Sequence, residues 1–179
     1  MERLGLGLVP IGMSVDATLV QMAAGYAAIA NDGTYVQPHI VKSYISGKDG
    51  KVTNSAAPST HRVLSPNIAA ELRTMMEAVV DNADATGTQA RVNGYRVAGK
   101  TGTGKRLVDG QYTSSNYGSF IGMAPADNPR YVIAVSAEVP HGTGGEVAAP
   151  AFSKMMSYVL LQNRVPPSAT KPPTFRIHP

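Results

Sequence analysis

One ten-residue segment limits what this chain can be, and it reads Gly94-Tyr95-Arg96-Val97-Ala98-Gly99-Lys100-Thr101-Gly102-Thr103. It contains the lysine–threonine–glycine element (K-T-G) of acyl-transfer enzymes that use a serine nucleophile. Gly94 to Thr101 also matches G-x-x-x-x-G-K-T, a pattern that binds nucleotide phosphates in other proteins. The two interpretations predict different structures around Lys100, so the flanking residues decide between them.

The flanking residues favour a strand over a phosphate-binding loop. Such a loop follows a buried strand and leads directly into a helix whose N-terminus faces the phosphates. Here the residues at 95–98 are bulky and alternate in polarity, which is typical of a strand. Gly102 and Gly104 would weaken a helix after Thr101, and the residues before Gly94 are polar. We therefore predict an extended strand from Tyr95 to Thr103.

The end of this strand has the chemistry of a peptide-binding edge. Glycines on either side of Lys100 let another backbone approach closely and pair by strand addition. Lys100 supplies a cation, and the hydroxyls of Thr101 and Thr103 are donors suited to a carboxylate. The main-chain N–H of Thr103 is suited to stabilise a developing oxyanion. The pattern predicts a clamp for a peptide carboxylate beside an acyl-transfer centre.

Further motifs occur in the order found in one enzyme family. They are Pro10-Ile11-Gly12, Leu19-Val20-Gln21-Met22, Tyr26 to Gly33, Val97 to Thr103, Ser119 to Pro125, Pro129 to Ile133 and Gly145 to Pro150. The chain resembles the C-terminal part of the transpeptidase domain of class B penicillin-binding proteins, in particular the division type of actinobacteria. These proteins are D,D-transpeptidases that cross-link peptidoglycan. The resemblance covers residues 8–164, and motifs in a fixed order are far more specific than K-T-G alone.

The resemblance implies an α+β fold in which an antiparallel sheet is covered by helices. Of the family's five-stranded penicillin-recognising sheet, this chain would supply the last three strands and the C-terminal helix, with part of the helical subdomain. The implied reaction transfers an acyl group from a D-Ala-D-Ala-terminated stem peptide, through a serine ester, to an amine on a neighbouring strand. Roles in cell-wall synthesis, cell division and cell shape follow from that chemistry.

The resemblance also implies site residues and partners. Lys100 and Thr103 are the expected catalytic residues, and Lys100, Thr101, Gly102 and Thr103 the expected substrate-binding residues, with the Thr103 amide in the oxyanion hole. The expected partners are the peptidoglycan stem peptide or its lipid-linked precursor, β-lactam antibiotics and divisome proteins. No metal and no organic cofactor is implied.

The chain departs from the family pattern in its serine motifs. In the family a nucleophile motif S-x-x-K and a motif S-x-N precede K-T-G. Here Ser168-Ala169-Thr170-Lys171 and Ser114-Ser115-Asn116 follow it, while Ser65-Pro66-Asn67 reads as a helix start. We interpret all three as coincidences. The chain alone therefore lacks the nucleophile and its base, and we expect an inactive fragment of a longer enzyme.

Three alternatives remain at this stage. A serine β-lactamase-like hydrolase shares K-T-G but needs a hydrolytic base, and none can be assigned. A non-catalytic scaffold of the same fold is supported by the missing motifs. A phosphate-loop NTPase is the third, since its pattern is formally present.

Composition excludes several other classes of protein. The 179 residues are enough for one core, the net charge is +4, and cysteine is absent, so there are no disulfides or thiolate metal sites. No arginine cluster with interleaved aromatics is present, so nucleic-acid binding is not expected. The histidines have no metal-ligand spacing; they are His39, His61, His141 and His178.

We divide the chain into residues 1–164, the C-terminal portion of a transpeptidase domain, and residues 165–179, a proline-rich surface tail. The most apolar window, Ala17 to Ala30, is too short to span a bilayer, and the start does not read as a signal peptide. The resemblance implies a location on the extracytoplasmic face of the membrane, through an N-terminal anchor absent from this chain.

Periodicity predicts the following elements. The helices are Asp16 to Asn31, Pro66 to Asn82 and Ala148 to Asn163. The apolar face expected in the second helix consists of Ile68, Leu72, Met75, Met76, Val79 and Val80, and that of the last helix of Phe152, Met155, Met156, Val159 and Leu160. The strands are His39 to Ser46 with a hairpin turn after it, Tyr95 to Thr103, Ser119 to Ala124 and Arg130 to Val139, the last three forming an antiparallel meander. The polar stretch from Gly104 to Tyr117 is expected to join two of these strands, and Gly142 to Gly145 is expected to be a loop before the last helix.

Overall fold

The computed structural model describes residues 17–108 and 111–174. Its helices are α1 (Leu19–Ala30), α2 (Pro66–Asp81) and α3 (Gly144–Gln162), with a 3₁₀ turn at Thr88–Ala90. Its strands are β1 (Thr34–Val36), β2 (Ser43–Ile45), β3 (Val52–Asn54), β4 (Thr60–Arg62), β5 (Ala98–Val108), β6 (Gln111–Ala124) and β7 (Tyr131–Val139).

The central sheet is an antiparallel meander in the order β5-β6-β7. Its register pairs Lys100 with Ile121 across β5 and β6, and Gly122 with Ile133 across β6 and β7. Within the described residues no other strand pairs with this sheet, so one edge of β5 and one edge of β7 are free. The small pairs β1–β4 and β2–β3 are separate from it.

Helices cover both faces of the meander. On one face α3 packs against β6, where the rings of Phe120 and Phe152 lie 4.7 Å apart between centroids. On the other face α2 lies along β5 and α1 along β7, around a cluster that includes Met76 and Met123. Because successive residues of a strand point to opposite faces, β6 and β7 contribute side chains to the clusters on both faces, and β5 contributes Ala98 to the cluster with Met123. The predicted antiparallel sheet covered by helices is present.

The helix starts follow from local capping. Thr18 and Gln21 form a capping box at the start of α1. Ser65 caps α2, where its hydroxyl accepts a hydrogen bond from the amide of Ile68, and Pro66 occupies the first turn. Ser65-Pro66-Asn67 is therefore a helix start, as predicted.

The buried stripe of α2 differs from the predicted apolar face. Ile68 and Met75 were expected in the core but are 45% and 56% exposed, whereas Ala69 and Glu77 are buried. The helix turns this face inward because the Glu77 carboxylate meets Arg96 in the interior. In α3, Met155 was likewise expected in the buried stripe, but it is 43% exposed.

Residues 104–108 and 111–117, which belong to the stretch predicted to connect two strands, are themselves strand. β5 begins three residues later than predicted and continues to Val108, and β6 begins already at Gln111. The two strands remain paired across a register shift between Lys105 and Leu107. Since β5 runs through Lys100 and Thr101 without turning into a helix, the phosphate-loop interpretation is wrong.

The first part of the predicted tail is attached to the core. Val165 is only 8% exposed and belongs to the same cluster as Phe152. The Tyr95 hydroxyl donates to the Val165 carbonyl at 2.6 Å, and the Ser168 amide donates to the Gly94 carbonyl at 3.0 Å. The segment lies against the domain at least as far as residue 170.

A buried ion pair joins this tail to α2 and to the residues before β5. Two nitrogens of Arg96, Nε and Nη2, donate to the two carboxylate oxygens of Glu77 at 2.8 and 2.7 Å. The side chains of Arg96 and Glu77 are 16% and 3% exposed. Arg96 Nη1 also donates to Thr170 Oγ1 at 2.9 Å. The hydrogen bonds to Glu77 raise the pKa of the Arg96 guanidinium.

Glu77→Gln should lower the free energy of unfolding by about 3–5 kcal/mol, because it leaves the charge of Arg96 unpaired in the interior. Urea denaturation measures this. Glu71→Gln is the matched control, since Glu71 is exposed on the same helix, and it should change the free energy by less than about 0.5 kcal/mol. Equal effects of the two substitutions would show that the pair contributes nothing.

Candidate functional site

The K-T-G residues lie on β5, the strand at one edge of the meander. Thr101, Gly102 and Thr103 pair with Phe120, Ser119 and Gly118 of β6. Lys100 and Thr103 are exposed, and Thr101 and Gly102 are partly buried. The side of β5 that faces away from β6 is free in the described structure, so these residues border a strand edge that an extended peptide can join.

Alternation along β5 separates the lysine from the two hydroxyls. Thr101 lies opposite Phe120 and Thr103 opposite Gly118, and both of these β6 residues face α3. Lys100 is one position out of phase and therefore lies on the face covered by α1 and α2. Its Nζ donates to the carbonyl of Thr101 at 3.0 Å. The structure thus places the predicted residues side by side along the strand but on two faces of it.

The hydroxyl of Thr103 is oriented by the first turn of α3. The Gly144 amide donates to Thr103 Oγ1 at 3.0 Å. An oxygen that accepts this bond keeps its own proton for another acceptor. Among the described residues that proton has no acceptor, so the Thr103 hydroxyl is available as a donor to a ligand.

The start of α3 was missed from the sequence. Gly142-Thr143-Gly144-Gly145 was predicted as a loop, but Gly144 and Gly145 form the first turn of the helix. Thr143 caps it, and Glu146 Oε2 accepts from the Thr143 amide at 2.8 Å. These hydrogen bonds from Thr143 lower the pKa of the Glu146 carboxyl. The capping-box pattern T-x-x-E was the signal that could have located this start.

Two glycines allow the first turn of α3 to pack in direct contact with the backbone of the sheet. A side chain at Gly144 would collide with the carbonyl oxygens of Gly102 and Ser119, and one at Gly145 would collide with the carbonyl of Thr86. The bare first turn therefore approaches β5 and β6 more closely than any other residue type permits. This contact is what brings the Gly144 amide to Thr103.

A second residue missed from the sequence is Thr86. Its Oγ1 lies 2.8 Å from Thr101 Oγ1, within hydrogen-bonding distance. Thr86 precedes the 3₁₀ turn in a polar loop. Nothing in the local pattern marked it, because the contact joins residues fifteen positions apart.

The remaining serine motifs are occupied by structural hydrogen bonds. Ser168 Oγ donates to Asp127 Oδ1 at 2.9 Å and accepts from the Arg96 amide at 3.1 Å. In the second motif the middle residue, Ser115, donates from Oγ to Glu138 Oε1 at 3.1 Å, and Asn116 Nδ2 donates to the Gly142 carbonyl at 3.1 Å. Ser168 and Asn116 therefore have structural hydrogen-bond partners.

The histidines and acids do not gather into a metal site within residues 17–108 and 111–174: no three His, Asp or Glu side chains lie close enough together to hold an ion. In the same ranges no helix combines the length and the hydrophobicity needed to cross a membrane.

Comparison with known proteins gives the family. Residues 5–157 match the family model described as the penicillin binding protein transpeptidase domain. The chain belongs to this family. It is 43% identical to penicillin-binding protein PbpB of Mycolicibacterium smegmatis over 169 residues, which are 88% of this chain and 26% of that protein. It is 33% identical to the probable peptidoglycan D,D-transpeptidase PenA of Neisseria flavescens, covering 96% of this chain and 40% of the relative.

A solved transpeptidase structure shares the fold. Penicillin binding protein 3 of Mycobacterium tuberculosis, complexed with ampicillin, superposes with a TM-score of 0.83 at 36% identity, covering 92% of this chain and 39% of that one. The resemblance inferred from the motifs and the α+β transpeptidase fold are therefore confirmed. The chain spans about a quarter to two fifths of the length of these relatives.

Gly144→Ala should lower the free energy of unfolding by about 1–3 kcal/mol, because the new methyl group forces α3 away from β5 and β6. The Cβ resonance of Thr103 should shift with it, since the hydrogen bond from the Gly144 amide to Thr103 Oγ1 is broken. Denaturation and two-dimensional NMR measure both effects. Gly104→Ala is the control, because a side chain at Gly104 meets no atom within 4 Å. A Gly144→Ala protein as stable as this control would contradict the close contact.

Proposed function

We propose that this chain is the K-T-G part of a peptidoglycan D,D-transpeptidase, which cross-links stem peptides through an acyl-serine intermediate and is acylated by β-lactams. The observation that carries the proposal is the free edge of β5, where Lys100 and two oriented threonine hydroxyls lie side by side. Membership of the transpeptidase family supports it.

In this function the donor peptide adds to the free edge of β5. The D-Ala carboxylate at its end accepts hydrogen bonds from the hydroxyls of Thr101 and Thr103, next to the positive end of α3. Gly102 between them keeps the strand edge open to the peptide backbone. Binding by the carboxylate fixes the position of the preceding peptide bond, which is the bond to be broken.

The chemistry is acyl transfer in two steps. A serine hydroxyl attacks the carbonyl of the penultimate D-Ala, and the terminal D-Ala leaves after its nitrogen takes up a proton. An amine of a second stem peptide then attacks the ester and releases the serine. Lys100 supplies positive charge beside the groups that exchange protons in these two steps. The Thr103 amide donates a hydrogen bond to the oxyanion formed in each step.

The serine must come from a segment outside this chain, and the structure has a face suited to such a segment. Among residues 17–108 and 111–174 no strand pairs with the outer edge of β7, and Leu19, Val20 and Met22 of α1 are 45%, 61% and 41% exposed. A cavity of about 570 Å³ lies between α1 and the start of β7. Apolar surface of this kind is normally covered, so we assign it to the contact with the rest of the domain.

The proposal extends to location and partners. The complete protein would act on the extracytoplasmic face of the cell membrane, held by an N-terminal anchor. Its partners would be stem peptides or their lipid-linked precursor, β-lactams such as the ampicillin bound to the mycobacterial neighbour, and proteins of the division machinery.

The coding sequence upstream of Met1 should encode S-x-x-K and then S-x-N in the same reading frame. Sequencing the gene region tests this directly. An upstream frame with neither motif would leave a non-catalytic scaffold of the same fold as the function.

Lys100→Ala in the complete protein should slow acylation by a fluorescent penicillin by at least about 100-fold, because it removes a preorganised charge at the reacting group. The acylation rate is measured by quenching the reaction at successive times and recording the fluorescence of the labelled protein on a denaturing gel. Lys105→Ala is the matched control, since Lys105 is an exposed lysine farther along the same strand, and it should keep the rate within about twofold. Normal acylation of the Lys100→Ala protein would contradict the role of this lysine.

A further inference from the structure

Thr86 is a residue outside the K-T-G strand that contacts a K-T-G hydroxyl. Its Oγ1 lies 2.8 Å from Thr101 Oγ1. We propose that Thr86 is a positioning residue for carboxylate recognition: its hydroxyl donates to Thr101 and so directs the Thr101 proton toward the ligand. This inference rests on the function proposed above, because it concerns how the same site binds its substrate.

The loop that carries Thr86 is fixed to the end of α2. The Gly87 amide donates to the Val79 carbonyl at 2.9 Å, and the Ala85 amide donates to the Asn82 carbonyl at 3.3 Å. A side chain at Gly87 would lie 2.8 Å from the Val79 carbonyl oxygen, so this approach requires glycine. The backbone on both sides of Thr86 is thus held by main-chain hydrogen bonds.

The opposite side of Thr86 is held by α3. Its carbonyl lies so close to Gly145 that any side chain there would collide with it. A side-chain atom at position 145 would also lie 3.6 Å from the methyl group of Thr101. The end of α2 and the start of α3 together fix the Thr86 hydroxyl beside Thr101, as a preorganised site requires.

The direction of the Thr86–Thr101 bond follows from the chemistry of the ligand. Either hydroxyl can donate when no ligand is present. A carboxylate has only acceptors, so Thr101 must donate its single proton to it. The Thr101 oxygen is then left to accept from Thr86. A donor bonded to a second donor is also polarised, which strengthens its bond to an anion.

Thr103 has the same arrangement with a different partner. The Gly144 amide donates to its oxygen at 3.0 Å and leaves its proton free. Thr101 and Thr103 lie on one face of β5, about 7 Å apart along the strand. Each threonine oxygen accepts a hydrogen bond from the protein, Thr101 from Thr86 and Thr103 from Gly144. Both hydroxyl protons are therefore free to donate to the same carboxylate. A pair of hydroxyls held in this way should favour a charged ligand over its neutral ester.

The test compares acylation of the complete protein by benzylpenicillin and by its neutral methyl ester, as second-order rate constants. Thr86→Val should slow the acid about tenfold, the size expected for a weakened hydrogen bond to a charged group, and change the ester rate less than about twofold. Thr86→Ser keeps the hydroxyl and should restore the preference for the acid. Thr88→Val, in the adjoining 3₁₀ turn, is the matched control and should leave both rates unchanged.

Each outcome supports or overturns the inference. Equal slowing of acid and ester by Thr86→Val would show a merely structural role, and unchanged rates would show no role; either result overturns the proposal. If the valine variant does not fold, Thr86→Ala gives the same comparison. A wild-type protein that is not acylated at all would instead overturn the proposed transpeptidase function, so the two failures are distinguishable.

Discussion

The first turn of α3 rests directly on the backbone of β5 and β6, and this contact organises the site. It is possible only because Gly144 and Gly145 have no side chains where the helix meets the carbonyls of Gly102, Ser119 and Thr86. The same contact delivers the Gly144 amide to the Thr103 hydroxyl. The contact that packs the helix on the sheet therefore also orients a hydroxyl of the proposed site, and the helix cannot move without altering that hydroxyl.

The buried ion pair of Glu77 and Arg96 does not contact the K-T-G residues, but it holds the residues that precede their strand. Arg96 lies two residues before the start of β5, and its side chain is bonded to α2 on one side and to Thr170 on the other. Breaking a buried pair costs far more than an exposed pair because the remaining charge is left without a partner. The pair therefore joins the residues just before β5 to α2, while the loop after α2 brings Thr86 to the same strand. Both contacts connect α2 to the K-T-G strand.

Local patterns predicted much of the fold. The meander of β5, β6 and β7, the capped start of α2 and the family were all apparent from periodicity, turn residues and ordered motifs. The length of β5 and β6 was not, because the stretch from Gly104 to Tyr117 is polar, and its residues 104–108 and 111–117 become strand only by pairing. The buried face of α2 was also misplaced, since hydrophobic periodicity assigns Glu77 to the surface.

The sequence by itself determined the residues of the proposed site: a lysine, two threonines and a glycine on an extended strand, with no S-x-x-K motif before them. Only the tertiary structure decided which partner orients each hydroxyl, because Thr86 and Gly144 approach β5 from separate elements fifteen and forty-one positions away. It also decided that Val165 belongs to the core and that Arg96 finds a buried partner. Periodicity reports which residue types share a face, whereas distances between elements depend on side-chain volume at their contacts, which no local pattern contains.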